Sequence, residues 1–203
     1  MRKRRSIVRL EAPWLAYTDL LSSTLMIVTL ALVVSALAKF VNQKPPIIRL
    51  SDEADFRFAT GSYALSQNFK NQLVNEKLPD IENTIRCYGI DTVEVIGHTD
   101  FAPNGGTSNI DSFHGDKNLI LSGKAVSGSN ADLGLLRALS VERFLETSLK
   151  PRFQNIDFFS YSASSYVDPP DLASQKTKNN YISKRRIEIR FTRSDKSAAI
   201  PRC

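Results

Sequence analysis

Between Trp14 and Ala38 the chain reads WLAYTDLLSSTLMIVTLALVVSALA, and from Leu20 onward it offers nineteen consecutive apolar or small residues. At 1.5 Å of rise per residue, about twenty such residues cross the roughly 30 Å hydrocarbon core of a bilayer. The run therefore predicts a transmembrane helix over residues 14–38. One residue breaks it. Asp19 sits about one turn inside, where a carboxylate costs about 2.5–3.5 kcal/mol on insertion scales. An acid kept in such a place marks a proton or ion site facing a protein partner. On a helix Asp19 shares a face with Ser22, Ser23 and Met26, and Thr29 and Val33 continue the stripe. Small and hydroxylated side chains on one face allow close helix approach. The alternative for the Ser and Thr hydroxyls is to bond back to carbonyls of their own helix. Trp14 and Tyr17 fit an interfacial aromatic belt, and Tyr17, Ser22, Ser23 and Met26 are the candidate channel-lining residues.

Charge orients this segment. The formal net charge is +6, and residues 1–40 carry Arg2, Lys3, Arg4, Arg5, Arg9 and Lys39 against Glu11 and Asp19, so most of the excess flanks the span. That is a topogenic signal and not a nucleic-acid surface. The positive-inside bias puts the N-terminus in the cytoplasm and the chain after Lys39 across the membrane, which in a bacterium is the inner membrane with a periplasmic C-terminal part. A cleaved leader is the competing reading, with Ala36-Leu37-Ala38 as the small-residue cleavage site. Against it stand the length of the apolar run, longer than the usual 7–15 residues of a signal core, and the acid at its head. Cys87 and Cys203 are the two cysteines. They are too few for a disulfide framework, and whether they pair is open.

Five segments follow: a basic head (1–13), the span (14–38), a linker (39–54), a globular domain (55–193) with an insertion at 101–129, and a tail (194–203). Pro45-Pro46 ends any helix and favours an extended path. Twelve stretched residues reach only about 40 Å, which keeps the domain near the membrane. Within the domain Phe56–Phe58 alternates as a short strand. Residues 66–86 read as helix, interrupted at Pro79, and Thr92–Gly97 reads as a β-branched strand. Residues 101–129 are rich in Gly, Ser, Asn and Asp and read as a long loop. Asn130 is the expected N-cap of a helix from Ala131 to Leu149, with Leu135, Leu139, Val141, Phe144 and Leu145 facing inward. Ile156–Tyr161 is a strand, and Arg186–Thr192 alternates and closes the sheet. The expected fold is α+β, a mixed sheet in the order βαβαβ-β with helices on one face, preceded by a single transmembrane helix.

Three blocks in this domain carry a resemblance. Val93–Asp100 reads VEVIGHTD. Asn130, Leu133, Arg137-Ala138 and Val141 follow, and then Lys184-Arg185-Arg186-Ile187-Glu188-Ile189. Together they resemble the OmpA-like peptidoglycan-binding domain, with its G-H-T-D, N-x-x-L-S-x-x-R-A-x-x-V and N-R-R-V-E-I blocks. The resemblance implies a pocket for the diaminopimelate of a wall stem peptide. Asp100 would take its ammonium, Arg137 its carboxylate through a planar fork, and Asn130, Thr99 and Leu133 would shape the pocket. The residues alone leave open a simpler role, an Asp100–Arg137 salt bridge between strand and helix. Three departures stand out: the insertion is much longer than the family's turn and could cover the pocket, Gly134 replaces the motif serine, and Lys184 replaces the motif asparagine. His98 and His114 have no ligand-spaced companions, so no metal or cofactor is expected. No nucleophile–base pair or phosphate loop is present, so the chain does not read as an enzyme.

The front end carries a second resemblance. Trp14–Leu30 is similar to the membrane helix of MotB-type stator subunits, W-x-x-A-Y-x-D-(M/L)-(M/L)-(T/S), whose proton-carrying Asp falls on Asp19. A MotB-like span followed by an OmpA-like domain describes ion-driven stator B subunits. These include flagellar MotB and ZorB of the Zorya anti-phage defence system. That resemblance implies a homodimer inside a ring of a multi-span MotA- or ZorA-like partner, with a proton channel through Asp19. The short connector, without an amphipathic plug between Lys39 and Asp55, favours the ZorB-like kind. The alternatives are a flagellar MotB-like stator subunit, a passive OmpA-family wall-binding anchor and a TolR- or ExbD-like force transducer, whose soluble domain would not carry G-H-T-D.

Overall fold

The computed structural model describes residues 13–41, 45–52, 56–167 and 184–193. It divides into two compact units, 1–44 and 45–203. The basic head, the tail, the Pro169-Pro170 loop and Cys203 lie outside the described residues.

The first unit contains one long helix, α1 (Pro13–Val41). It starts at Pro13, whose missing N–H costs nothing at a first helical position. Ala16–Ala38 has a mean hydropathy of 2.3 over its most apolar stretch and is long enough to cross a membrane, and none of that stretch is buried within the structure.

The second unit is built on a four-stranded sheet: β1 (Ile48–Ser51), β2 (Thr92–His98), β3 (Asp157–Ser164) and β4 (Arg186–Thr192), in the order β1-β4-β2-β3. β2 and β3 are parallel, and β4 is antiparallel to both β1 and β2. The α+β class and the mixed sheet are as the sequence predicts. β4, however, does not close an edge. It lies between β1 and β2, which explains why Arg186, Ile187, Glu188 and Ile189 are all buried.

β1 lies inside the predicted linker 39–54, so the folded unit begins earlier than residue 55. Four residues are too few to show strand periodicity. They become a strand because β4 offers an edge, with Ile48 opposite Ile189 and Leu50 opposite Ile187. Only residues 42–47 separate α1 from β1. The predicted strand at Phe56–Phe58 is irregular instead. Its two rings pack on Phe69, with centroids 5.3 and 5.1 Å away. The alternation there reflects two aromatic anchors and not a ladder.

Helix α2 (Gln67–Gln72) is capped by Ser66, whose hydroxyl accepts from the Phe69 amide at 3.1 Å. It widens into a π-helical turn at Leu73–Lys77 before α3 (Leu78–Tyr88). The widening comes just ahead of Pro79, which has no amide to donate and would crowd a regular turn. Gly89, at φ 59°, ends α3 in the left-handed conformation that glycine tolerates best. A short helix α4 (Lys117–Leu119) lies within the insertion, and α5 (Asn130–Leu149) crosses from β2 to β3. The N-cap of α5 is Ser129, one residue earlier than expected, with its hydroxyl accepting from the Asp132 amide at 3.2 Å. Asn130 is thereby freed for another task.

One sheet face and the helices share a core. Leu50, Val93, Val95, Phe158, Ile187, Ile189 and Phe191 meet Ile81 and Ile85 of α3 and Ala138, Val141, Leu145 and Leu149 of α5. Each such side chain, fully buried, contributes about 1.5–3 kcal/mol. Leu135 and Phe144 are only partly buried. Leu135 instead belongs to a second small core beneath the insertion, where Ile120 and Ala125 pack on Leu136 and Leu139. The insertion is thus a docked element and not a loose loop. Its anchor is Lys117, whose ammonium donates at 2.8 Å to the wholly buried carboxylate of Glu142, which also accepts from Ser160 at 3.0 Å. Cys87 on α3 is buried and disulfide-bonded.

Glu188 on β4 is buried among cations. Arg186 and Arg190 each donate to it at 2.8 Å, and His98 lies 3.7 Å away. His98, then Arg190 and Arg186, hold its carboxyl far below the ordinary range. An acid whose pKa is depressed on folding contributes stability above its unfolded pKa and loses it as pH falls. Thermal melts should therefore show stability declining as pH drops below about 4.5. Glu188→Gln should be less stable at neutral pH and flatter over the acid limb. An unchanged acid limb in the variant would show that other carboxylates set it.

Candidate functional site

The strand end of β2 and the first turns of α5 converge, and the reason lies in two glycines. Gly97 and Gly134 touch backbone to backbone: a Cβ on Gly97 would stand 2.0 Å from the Gly134 carbonyl oxygen. A Cβ on Gly134 would stand 2.5 Å from the Ser162 hydroxyl. A motif serine here would have to displace the Ser162 hydroxyl and would crowd the Gly97 carbonyl oxygen, 3.0 Å from its Cβ, whereas glycine does neither. This close approach carries the residues after Gly97 up to the N-terminal half of α5.

A pocket of about 110 Å³ opens there, lined by Thr99, Asp100, Asn130, Leu133 and Arg137 together with Thr60, Gly61, Arg185 and the Ala102–Asn104 segment of the insertion. All five residues singled out for wall binding border this one cavity. The insertion supplies one wall; its remaining length docks along α5. Asn130 donates from its amide to the Asp100 and Ala102 carbonyls at 3.2 and 2.9 Å, holding the pocket rim. Asp100 in turn accepts from the Ala102 amide at 3.1 Å. Thr99 is fixed through its backbone, its amide donating to the Ser164 carbonyl at 3.0 Å, while its buried hydroxyl has no hydrogen-bond partner among the described residues.

Arg137 is 3% exposed. Its Nε donates to the Ser62 carbonyl at 3.0 Å, and its guanidinium lies over the Phe58 ring at 4.9 Å. No ion pair joins it to Asp100 among the described residues, and no described hydrogen bond engages its two terminal nitrogens. The strand-to-helix salt bridge is therefore not how the fold uses this arginine. Burial weakens its hold on the proton, opposed chiefly by Asp52. A guanidinium nevertheless stays charged at any physiological pH.

Arg185 mediates between the acids. Its Nε lies 2.7 Å from Asp52 and 3.6 Å from Asp100. Asp52 is 3% exposed and accepts from the Phe58 amide at 3.0 Å. Burial raises its pKa, and Arg185 most strongly counters the rise. The mouth thus carries one accessible acid, Asp100, beside two guanidinium groups. Chemically this suits a zwitterionic head group: an ammonium at Asp100 and a carboxylate at the Arg137 fork.

No family model matches the chain, and no curated protein matches it. Among solved structures it is similar to the periplasmic domain of Helicobacter pylori MotB, at 20% identity and a TM-score of 0.47, over 75% of this chain and 85% of that one. A longer piece of the same MotB gives 19% identity and a TM-score of 0.48, over 76% and 80%. The cell wall anchor of the T6SS from Pseudomonas aeruginosa gives 20% and 0.41, over 72% and 81%. The neighbours are MotB-type periplasmic domains and a cell wall anchor.

Sequence reasoning missed Arg185, Asp52 and the Thr60–Gly61 wall. Arg185 was in view only as part of the block opening β4. Asp52 meets it because β1 pairs with β4, the Asp52 amide donating to the Arg185 carbonyl at 3.0 Å. Lys184, at the position of the motif asparagine, sits over the Phe101 ring at 3.8 Å and so ties the start of β4 to the pocket loop. His98 is buried at the end of β2 and not directed to the cavity lining.

On α1, Asp19, Tyr17, Ser22, Ser23 and Met26 are exposed. The Ser23 and Thr29 hydroxyls donate to the Leu20 and Met26 carbonyls, each at 2.9 Å. They are satisfied within the helix. Asp19 has no hydrogen-bond or ion-pair partner among the described residues.

Proposed function

We propose that the chain is a membrane-anchored, peptidoglycan-binding subunit, its soluble unit holding the diaminopimelate of a wall stem peptide. The observation that carries this reading is the pocket whose lining brings Asp100 and Arg137 to one small cavity. A head group bearing ammonium and carboxylate on one carbon needs both charges within a few ångströms, and an arginine fork reads the carboxylate bidentately. Asp100→Asn keeps the shape and the bond from the Ala102 amide but removes the charge. It should lower co-sedimentation of the full chain with purified peptidoglycan by about tenfold, the worth of about 1.4 kcal/mol, without moving the melting temperature. Undiminished sedimentation would make the pocket structural only.

The finer reading is a proton-conducting stator B subunit of a MotA- or ZorA-like ring, working as a homodimer in the inner membrane, and of the ZorB kind. What supports it is Asp19: a lone acid on a helix otherwise fit for lipid. Protonation removes both its charge cost and its attraction to a partner, so each proton switches the interface. One charge moved through 100 mV supplies about 2.3 kcal/mol, enough to bias a step. The short connector, without an amphipathic plug between Lys39 and Asp55, favours the defence type over the flagellar one. Asp19→Asn should abolish phage protection in cells while leaving membrane insertion and wall sedimentation intact. A fully protective variant would leave only the passive anchor.

A further inference from the structure

A second, larger concavity adjoins the pocket. It measures about 700 Å³ and runs between the 60–65 segment, the exposed face of α5 and the turn Ile120–Lys124 of the insertion, with Leu121 and Gly123 at its border. Thr60 and Gly61 line both cavities. The wall they share is pinned from behind, since the Ser62 carbonyl holds Arg137. Two charged residues line the groove, Lys70 and Arg143, and no carboxylate does. Lys70 has no ion-pair partner among the described residues. Arg143 pairs with Glu146 at 2.9 Å and is 47% exposed at its side chain. Tyr63 and Phe144 add aromatic surface, and the buried Tyr63 hydroxyl has no hydrogen-bond partner among the described residues.

We propose that this groove binds the acidic peptide that continues from the amino-acid head held in the small pocket, pairing the peptide's carboxylates with Lys70 and Arg143. The proposal rests on the wall-binding reading above and extends it to the rest of the stem peptide. The cationic, acid-free lining selects an anionic chain. The shared Thr60–Gly61 border sets the two cavities side by side, within reach of one peptide. The insertion then acts as a specificity element, because Leu121 and Gly123 form a border that a short turn between β2 and α5 would not provide.

The test uses the full chain in nanodiscs and two probes: free meso-diaminopimelate, and a soluble muropeptide in which that residue ends an acidic peptide. The parent chain should bind the muropeptide at least tenfold more tightly than the free amino acid. Lys70→Gln with Arg143→Gln should keep the affinity for free diaminopimelate and lose most of the muropeptide's advantage. Thr147→Trp, which fills the groove from α5 without changing charge, should do the same. An undiminished advantage in both variants would overturn the groove proposal while leaving the pocket in place. Muropeptide binding that responds to the groove variants, with no binding of free diaminopimelate, would overturn the pocket reading and keep the groove. Binding of neither probe would overturn both.

Discussion

Gly97→Ala should lower the melting temperature of the soluble unit by roughly 10 °C, the equivalent of about 3 kcal/mol for a domain of this size. The added Cβ would stand 2.0 Å from the Gly134 carbonyl oxygen, where ordinary contact begins at 3.4 Å. The obstructing atom is backbone, so no rotamer change relieves it. Either β2 bends or α5 retreats by more than an ångström. Retreat would separate Asp100 on the strand side from Asn130 and Arg137 on the helix side, and binding geometries tolerate only about 0.5 Å of such drift. Wall sedimentation should therefore fall along with stability, even though Gly97 touches no ligand. Circular-dichroism melts and sedimentation on the same preparation decide it. A variant that melts within a degree or two of the parent would show that the two elements are not truly in contact.

Arg137→Ala should cost about 3 kcal/mol as well, but through different physics. It deletes the hydrogen bond to Ser62 and the stacking on Phe58, and leaves a hole in a buried polar region. It also removes a charge that helps keep Asp52 ionised against burial. The sign of the pH effect follows. Asp52 has a raised pKa in the folded state, so its protonated form is favoured by folding, and stability declines as pH rises through that pKa. Without Arg137 the Asp52 pKa rises further, and the variant's deficit should shrink on acidification toward pH 5. Arg137→Lys keeps the charge and not the fork. It should recover much of the stability while peptidoglycan binding stays at least tenfold reduced. Lysine restoring both would mean that only charge matters at this position. Lysine restoring neither would place Arg137 in the scaffold alone.

Local chemistry was enough to read the long helix, because nineteen apolar or small residues and one acid require nothing from the rest of the chain. The same holds for α5, for β2 and for β4, whose periodicities are written in contiguous residues. Asp100, Asn130 and Arg137 were brought together only by the resemblance of their blocks to the OmpA-like domain, since the residues alone left a plain salt bridge open. Whatever depends on pairing was beyond its reach. Ile48–Ser51 is a strand only in the company of β4, and Phe56–Phe58 is not one because Phe69 takes its rings. Asp52 and Arg185 are 133 positions apart and meet through that same β1–β4 ladder. The capping of α5 passed from Asn130 to Ser129 because the asparagine was needed at the pocket rim. The insertion lacked periodicity, yet it found a core of its own on α5 and a buried partner in Glu142. In each case the deciding contact joins residues far apart in the chain, and a sequence window has no means to register it.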